Sequence, residues 1–387
     1  MTSTTVRRLL MAGGVLAMAA ASAVADPVPV LRARTPIHIP DVPGYLTLKC
    51  DFHIHTVFSD GNVWPTIRAE EAWREGLDAI AVTDHLEYQP HAADVSTNHN
   101  RSFEIAKPAG DDLDLIVIRG SEITRDMPPG HINAIFLTDA EPLHTPDWHD
   151  AIRAAHAQGA FIFWNHPGSE SHQPDGVARW YPEHTALLEA GMLHGVEVVN
   201  ERSYYPESHA WCGEKPLTML SNSDIHNPIN LDYDVHAGDA RPMTLVFATA
   251  RSADAIKEAL FARRTAVLAG DRLIGNEEFL RPIVEASVTV VPTAFTMRGR
   301  RRAQAQISNR SDIPYELVLA GPVAGFSAPK KLTLPAGKTV LFPIKADNTA
   351  PAGRHDLRIP YDVRNARVSP ATALRLDIPL TVTIETP

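Results

Sequence analysis

Two cysteines in 387 residues, Cys50 and Cys212, are too few to staple a fold, so a disulfide scaffold is excluded in any compartment. Cys50 lies in an apolar run and is expected to pack. Basic residues are also short, with 36 Lys and Arg against 46 Asp and Glu and a formal charge of −10. Affinity for a long polyanion rests on neutralising its phosphates with Lys and Arg, so no nucleic acid polymer is expected as a partner. A small phosphate ester beside bound cations is compatible with the same balance. The apolar run at residues 9–21 is too short to cross a bilayer, so no stable membrane span is expected. No internal repeat or low-complexity tract is present.

That apolar run has the anatomy of a secretory leader. Arg7 and Arg8 precede it, and Ala23-Val-Ala25 follows as a small-residue cleavage signal ahead of Asp26. Residues 1–25 are therefore expected to be a signal peptide, which places the mature protein in the periplasm or outside the cell. The paired arginines fit both the general secretory and the twin-arginine routes. Loss of the leader makes the charge two units more negative.

After a lead segment at 26–44, residues 45–281 alternate apolar strand runs with helical patterns. Strands are expected near 46–52, 79–83, 115–119, 132–137, 160–164, 196–199, 217–220 and 244–247. Helix start signals stand between them, such as Pro65, Thr145-Pro146 and Ser252. Repeated strand and helix predicts a parallel α/β barrel, whose functional residues gather at the C-terminal ends of its strands. From 282 to 387 the pattern changes to short β-type runs at 283–291, 303–308, 315–320, 339–345, 357–363 and 374–384, separated by Pro, Gly and Asn. That reads as an immunoglobulin-like β-sandwich, most simply a brace for the barrel. The basic knot Arg298, Arg300, Arg301 and Arg302 reads as a solvated turn.

The strand ends carry the chemistry. Asp51-Phe-His53-Ile-His55-Thr-Val-Phe-Ser59-Asp60-Gly61 follows the first strand. Side chains two apart share a face, so His53 and His55 point together, and Gly61 lets Asp60 turn back toward them. Thr83-Asp84-His85 closes the second strand, Gly120-Ser121-Glu122 the third, and His131 opens the next after Pro128-Pro-Gly130. Trp164-Asn165-His166-Pro167 and Ser223-Asp224-Ile225-His226 close two later ones. Each segment alone is weak. Gathered on one rim, the imidazoles and carboxylates are too many unshielded polar groups to bury without cations. Nitrogen and oxygen donors without thiolate suit Mn²⁺, Zn²⁺ or Fe²⁺.

This order of motifs resembles the polymerase and histidinol phosphatase (PHP) superfamily over about residues 45–280. Val42-Pro-Gly-Tyr45, Asp84-His-Leu-Glu-Tyr-Gln-Pro-His91 and Glu122-Ile-Thr-Arg125 sharpen the likeness to an exported branch with a C-terminal Ig-like domain. Members of that branch include phosphodiesterases of organophosphate esters. The resemblance implies a distorted (β/α)7 barrel with two or three divalent ions, Mn²⁺ or Zn²⁺ before Fe²⁺. One ion would be held by His53, His55, Glu122 and Asp224, and a second would share Glu122 with His131 and His166. A third would be held by Asp60, His85 and His226, where some members have His in place of Asp60. The implied reaction is attack of a metal-bridging hydroxide on the phosphorus of a small phosphate ester, a diester before a monoester. Arg125 is a candidate for holding the phosphoryl oxygen, and His91 or Tyr88 for protonating the leaving group.

Two other readings compete. An amidohydrolase-type C–N hydrolase also begins with His-x-His, although Ser59-Asp60-Gly61 and His85 argue against it. A catalytically silent metal-binding surface module is the other, against which the full ligand set argues. The aromatic group Trp180, Tyr181, Tyr204, Tyr205 and Trp211 reads as core or as pocket wall. His38, His99, His144, His149, His172 and His236 read as ordinary histidines.

Overall fold

A computed structural model describes residues 33–298 and 301–385. The expected signal peptide, the first part of the lead segment and Arg300 lie outside the described residues. Strand Leu46–Asp51 pairs in parallel with Ala79–Val82, which pairs in parallel with Ile116–Ile123. The helices Pro65–Arg74 and Arg101–Asp112 make the two crossovers, the length of connection that a parallel pair requires. Pro65 sits in the first helical turn, where its missing N–H has no partner to lose. Ala79–Val82 is buried along its whole length, as a strand covered on both faces must be.

The barrel is mixed rather than parallel throughout. Ile132–Ile135 runs antiparallel to both Ile116–Ile123 and Phe161–Trp164, because residues 124–131 are too few for a crossover. Gly195–Asn200 restores the parallel sense against Phe161–Trp164 and Thr218–Asn222. Met243–Ala248 returns antiparallel to Leu46–Asp51. Side chains close the ring: Thr244 Oγ1 donates to Ser221 O and accepts from Ser221 N–H, both at 2.9 Å. The hairpin Thr265–Ala269 and Arg272–Gly275 is absent from the expected strands, although Gly270-Asp271 is a legible turn, with Gly270 at φ +59°.

The β-run expected at 283–291 is a helix for its first half. Glu277–Ser287 is helical and only Val288–Val291 is strand. Phe279, Leu280, Ile283, Val284 and Ser287 recur at helical spacing and bury one face, which outweighs the β-branched composition and the Pro282 inside the helix. Beyond it, Arg302–Asn309 pairs with Val288–Val291 and Thr339–Ala346 in one sheet, while Gly353–Arg367 pairs with Tyr315–Leu319 and Ala373–Glu385 in the other. Ile307, Tyr315, Leu317, Phe342 and Tyr361 fill the Ig-like β-sandwich. Its second sheet continues into the barrel, since Leu273 pairs in parallel register with Ala366. Leu280 and Ile283 belong to the same buried cluster, so sandwich and barrel share a core. Among the described residues no helix is long and apolar enough to cross a membrane.

Candidate metal centre

The first strand ends at Asp51, and the chain stays extended through Phe52–His55 because Ile54 bridges Ile225 and its N–H donates to Thr83 Oγ1 at 3.0 Å. His53 and His55 thus face the same way, with their Nε2 atoms 3.1 Å apart. Gly61 has a steric reason to be glycine: a Cβ there would lie 2.7 Å from His55 C and 2.8 Å from Thr56 N. Asp224 and His166 hold φ values of +52° and +28°, a left-handed backbone that non-glycine residues keep only where the surroundings impose it.

All nine residues expected from sequence meet in four overlapping groups. These are His55, Asp60, His85 and His226; His53, His55 and Asp224; His53, Glu122 and His166; and His85, Glu122 and His131, with the donor atoms of each group within 4.8 Å of one another. Glu122 lies at the junction and is fully buried. Its Oε2 is 3.0 Å from His85 Nδ1, 3.3 Å from His55 Nε2 and 3.4 Å from His53 Nε2. Its Oε1 is 2.8 Å from His131 Nδ1 and accepts from Asn165 Nδ2 at 2.9 Å. Burial pushes the Glu122 carboxyl up, but His85, His131 and His53 outweigh it and hold the group well below the carboxylate range. Asp224 is shifted the same way, burial being overcome by His53 and His55.

The fit to cations rests on atoms left over. Glu122 Oε2, Asp60 Oδ1, His131 Nδ1 and His166 Nδ1 are buried without a hydrogen-bond partner. A buried anionic oxygen faced only by imidazole nitrogens is costly unless a cation sits between them. The outward nitrogens are meanwhile fixed by the protein. His53 Nδ1 is 2.9 Å from Glu197 Oε1, His55 Nδ1 is 3.2 Å from Ser59 Oγ and His226 Nδ1 is 2.7 Å from Asp224 O. Each contact turns Nε2 toward the shared centre, as imidazole ligands require. The donor set of nitrogens and carboxylate oxygens fits divalent ions.

Several supporting residues escaped the sequence reading. Glu197 is buried and also accepts from His166 N–H at 2.7 Å, Asn200 Nδ2 at 2.8 Å and Asn222 Nδ2 at 2.9 Å. A lone carboxylate in the apolar run Gly195-Val-Glu-Val-Val-Asn200 was the available signal. Asp84, inside the Thr83-Asp84-His85 motif, accepts from Thr56 N–H at 2.7 Å and Ser59 Oγ at 2.8 Å and so anchors the turn after His55. His172 is not an ordinary histidine. Its ring lies 4.6 Å from that of His131, and burial together with the neighbouring His131 and His166 lowers it to about 4. Nothing in its local sequence announces this.

The three catalytic candidates stand off the open cavity, about 640 Å³, that the cluster faces. Arg125 pairs with Glu87 and donates to the carbonyls of Thr124 and Thr145, at 2.9 and 2.7 Å, so the side chain is tied down away from the cavity wall. Tyr88 is 54% exposed with its ring 6.2 Å from that of His85, and His91 is likewise absent from the wall. The aromatic group divides. Tyr204 and Tyr205 line the cavity, whereas Trp180 and Trp211 pack on the buried Trp164 with centroids at 6.1 and 5.6 Å.

His184 completes that aromatic core, stacked on Trp164 at 3.7 Å with Nε2 donating to Pro129 O at 2.8 Å and Nδ1 accepting from Tyr181 N–H. Burial lowers its pKa to about 4. The unfolded chain therefore binds this proton more tightly than the native one. Its contribution is complete above pH ~6.5 and is lost as the pH falls toward ~4, for a total on the order of 3 kcal/mol. In chelator-treated protein, His184→Gln is expected to flatten the fall in urea-unfolding free energy between pH 7 and pH 4.5. An unchanged slope would show that this imidazole does not resist protonation.

Comparisons with known proteins agree with this architecture. A family model described as an Ig-like domain matches residues 288–379. The chain is 45% identical to a two-domain protein of Bacteroides vulgatus that contains a predicted PHP-like metal-dependent phosphoesterase. That match covers 90% of this chain and 99% of the other at a TM-score of 0.85. It is also 36% identical over 90 residues to an uncharacterized protein of Methanocaldococcus jannaschii, 22% of this chain and 37% of that one. The chain thus spans little more than a third of that relative's length. With that match spanning 90% of the chain and the His, Asp and Glu set meeting around Glu122, the chain belongs to the PHP superfamily, in a two-domain form with an Ig-like domain after the barrel.

Proposed function

We propose that this protein is an exported, metal-dependent phosphoesterase whose substrates are small organophosphate diesters. The observation that carries the reading is the buried Glu122, shared by two of the four overlapping donor groups and opening on a cavity whose described lining includes no Lys or Arg. His53, His55, Glu122 and Asp224 would hold one ion, Glu122 with His131 and His166 a second, and Asp60, His85 and His226 a third. Divalent ions held there supply a water of lowered pKa and neutralise phosphoryl oxygens. Mn²⁺ or Zn²⁺ suits the donors best, with Fe²⁺ also compatible. The leader at 1–25 supports export.

The chain's own residues set the charge of the substrate. Asn165 orients the Glu122 carboxylate through Oε1, and Glu197 orients His53 and the backbone of His166. Glu170 and Glu201 stand on the cavity wall among Ser169, Ser171 and Ser203. With no side-chain cation beside them, these carboxylates oppose the second negative charge of a monoester more than the single charge of a diester.

Enzyme purified without added metal, examined by elemental analysis and assayed on bis(4-nitrophenyl) phosphate, 4-nitrophenyl phosphate and an amide panel, tests the reading. Bound divalent ions and kcat/KM at least about tenfold higher on the diester are expected. Turnover of amides alone would replace it with the C–N hydrolase. Ion binding without any phosphoesterase activity would favour the silent module.

A further inference from the structure

The metal groups are braced from behind by a side chain that contacts their main chain and none of their donor atoms. Arg68, in the helix Pro65–Arg74, is fully buried. Its Nε donates to His55 O at 2.9 Å, and its terminal nitrogens donate to Ile225 O at 3.1 Å, His226 O at 2.7 Å and Asn227 O at 2.8 Å. The fifth N–H is met by Glu71 Oε2 at 2.9 Å, and Glu71 Oε1 accepts from Ile229 N–H at 3.1 Å. All five guanidinium donors are used, four of them on main-chain carbonyls of the two segments that carry His55 and His226. Only the planar fork of arginine reaches so many acceptors at once.

These carbonyls have few other partners. Segment 225–227 lies outside the named strands, joined to the first strand's extension by the Ile54–Ile225 bridge, while Asn62 N–H shares His226 O at 2.8 Å. Without the guanidinium, His55 O and Asn227 O would lose their donor, and the two segments would be left to the Ile54–Ile225 bridge and the Asn62 contact. His53 and His166 depend on a different support, Glu197. The backbones of His55 and His226 and that of His166 are therefore held by different side chains.

We propose, resting on the metal-centre reading above, that Arg68 is the positioning residue for the cation sites that His55 and His226 serve, and that these can be weakened while the site of His131 and His166 stays filled. The test is metal content and chelator-competition affinity of the full chain with Mn²⁺, alongside melting temperature and circular dichroism. Arg68→Lys is expected to lower affinity at the sites of His55 and His226 by about tenfold to a hundredfold and to leave one ion per chain, that of His131 and His166, bound as in the parent. At the site of Asp60 and His226 it should add nothing to the loss from Asp60→Asn alone, whereas Glu197→Gln, acting through His166, should add its own loss in full. Glu71→Gln, which loosens the guanidinium without removing it, should act in the same direction and serves where the lysine variant is insoluble.

Parent-like ion count and affinities in Arg68→Lys, even with a lower melting temperature, would make Arg68 a fold-stabilising residue and overturn the proposal. Full additivity with Asp60→Asn would do the same. A parent chain that binds no divalent ion would instead sink the metal-centre reading, and the proposal with it, an outcome visible before any variant is made.

Discussion

Glu122→Gln is expected to lower kcat on bis(4-nitrophenyl) phosphate by about a thousandfold or more and to cut the bound metal, while the circular dichroism spectrum stays that of the parent. The substitution keeps the shape of the side chain and removes its charge. Placed on the Oε1 side, the new amide N–H₂ meets the Nδ2 donor of Asn165, 2.9 Å away in the parent. Turned to the Oε2 side, it faces His53, His55 and His85 at 3.0 to 3.4 Å, three histidines that between them enter all four donor groups. Neither orientation leaves an anionic oxygen to join two cations. Elemental analysis beside steady-state kinetics checks both effects. A glutamine variant with parental metal content and turnover would remove Glu122 from the centre of the chemistry.

The cluster was legible because its residues come in short local patterns. His53 with His55, and Asp224 with His226, are pairs two apart at strand ends, where alternation fixes their facing without any knowledge of the rest of the fold. Glu122 was legible for a similar reason, although it lies inside the strand Ile116–Ile123 rather than after it. The supports were not legible, because their partners are distant in sequence. Arg68 reads as a solvated helix residue until segment 225–227 is seen packed behind it, 157 to 159 residues away. Glu197 is 144 residues from the histidine it orients. Arg125 misled for the converse reason: closeness to Glu122 in sequence suggested a shared target, but Glu87 and two carbonyls take its donors first. The sense of Ile132–Ile135 was lost because apolar patterning does not report strand direction, whereas the short connection before it does.

The same glycine-to-alanine exchange should have opposite signs at two positions. At Gly61 the added methyl would lie 2.7 Å from His55 C, 2.8 Å from Thr56 N and 2.9 Å from His55 O, all main-chain atoms that no rotamer change can move. Relief requires the turn and the His55 backbone to separate, and His55 shares its donor groups with Asp60, His85, His226 and Asp224. Gly61→Ala is therefore expected to cost about 3 kcal/mol in urea unfolding and to release metal in the same variant. At Gly213, inside the helix Pro206–Glu214, a methyl would meet nothing within 4 Å and the backbone is not left-handed. Gly213→Ala should stabilise by about 0.4 to 1 kcal/mol, by restricting the unfolded chain, and leave metal content untouched. If Gly61→Ala bound metal and unfolded like the parent, the tight return of Asp60 onto the His55 backbone would not be the geometry of the working site.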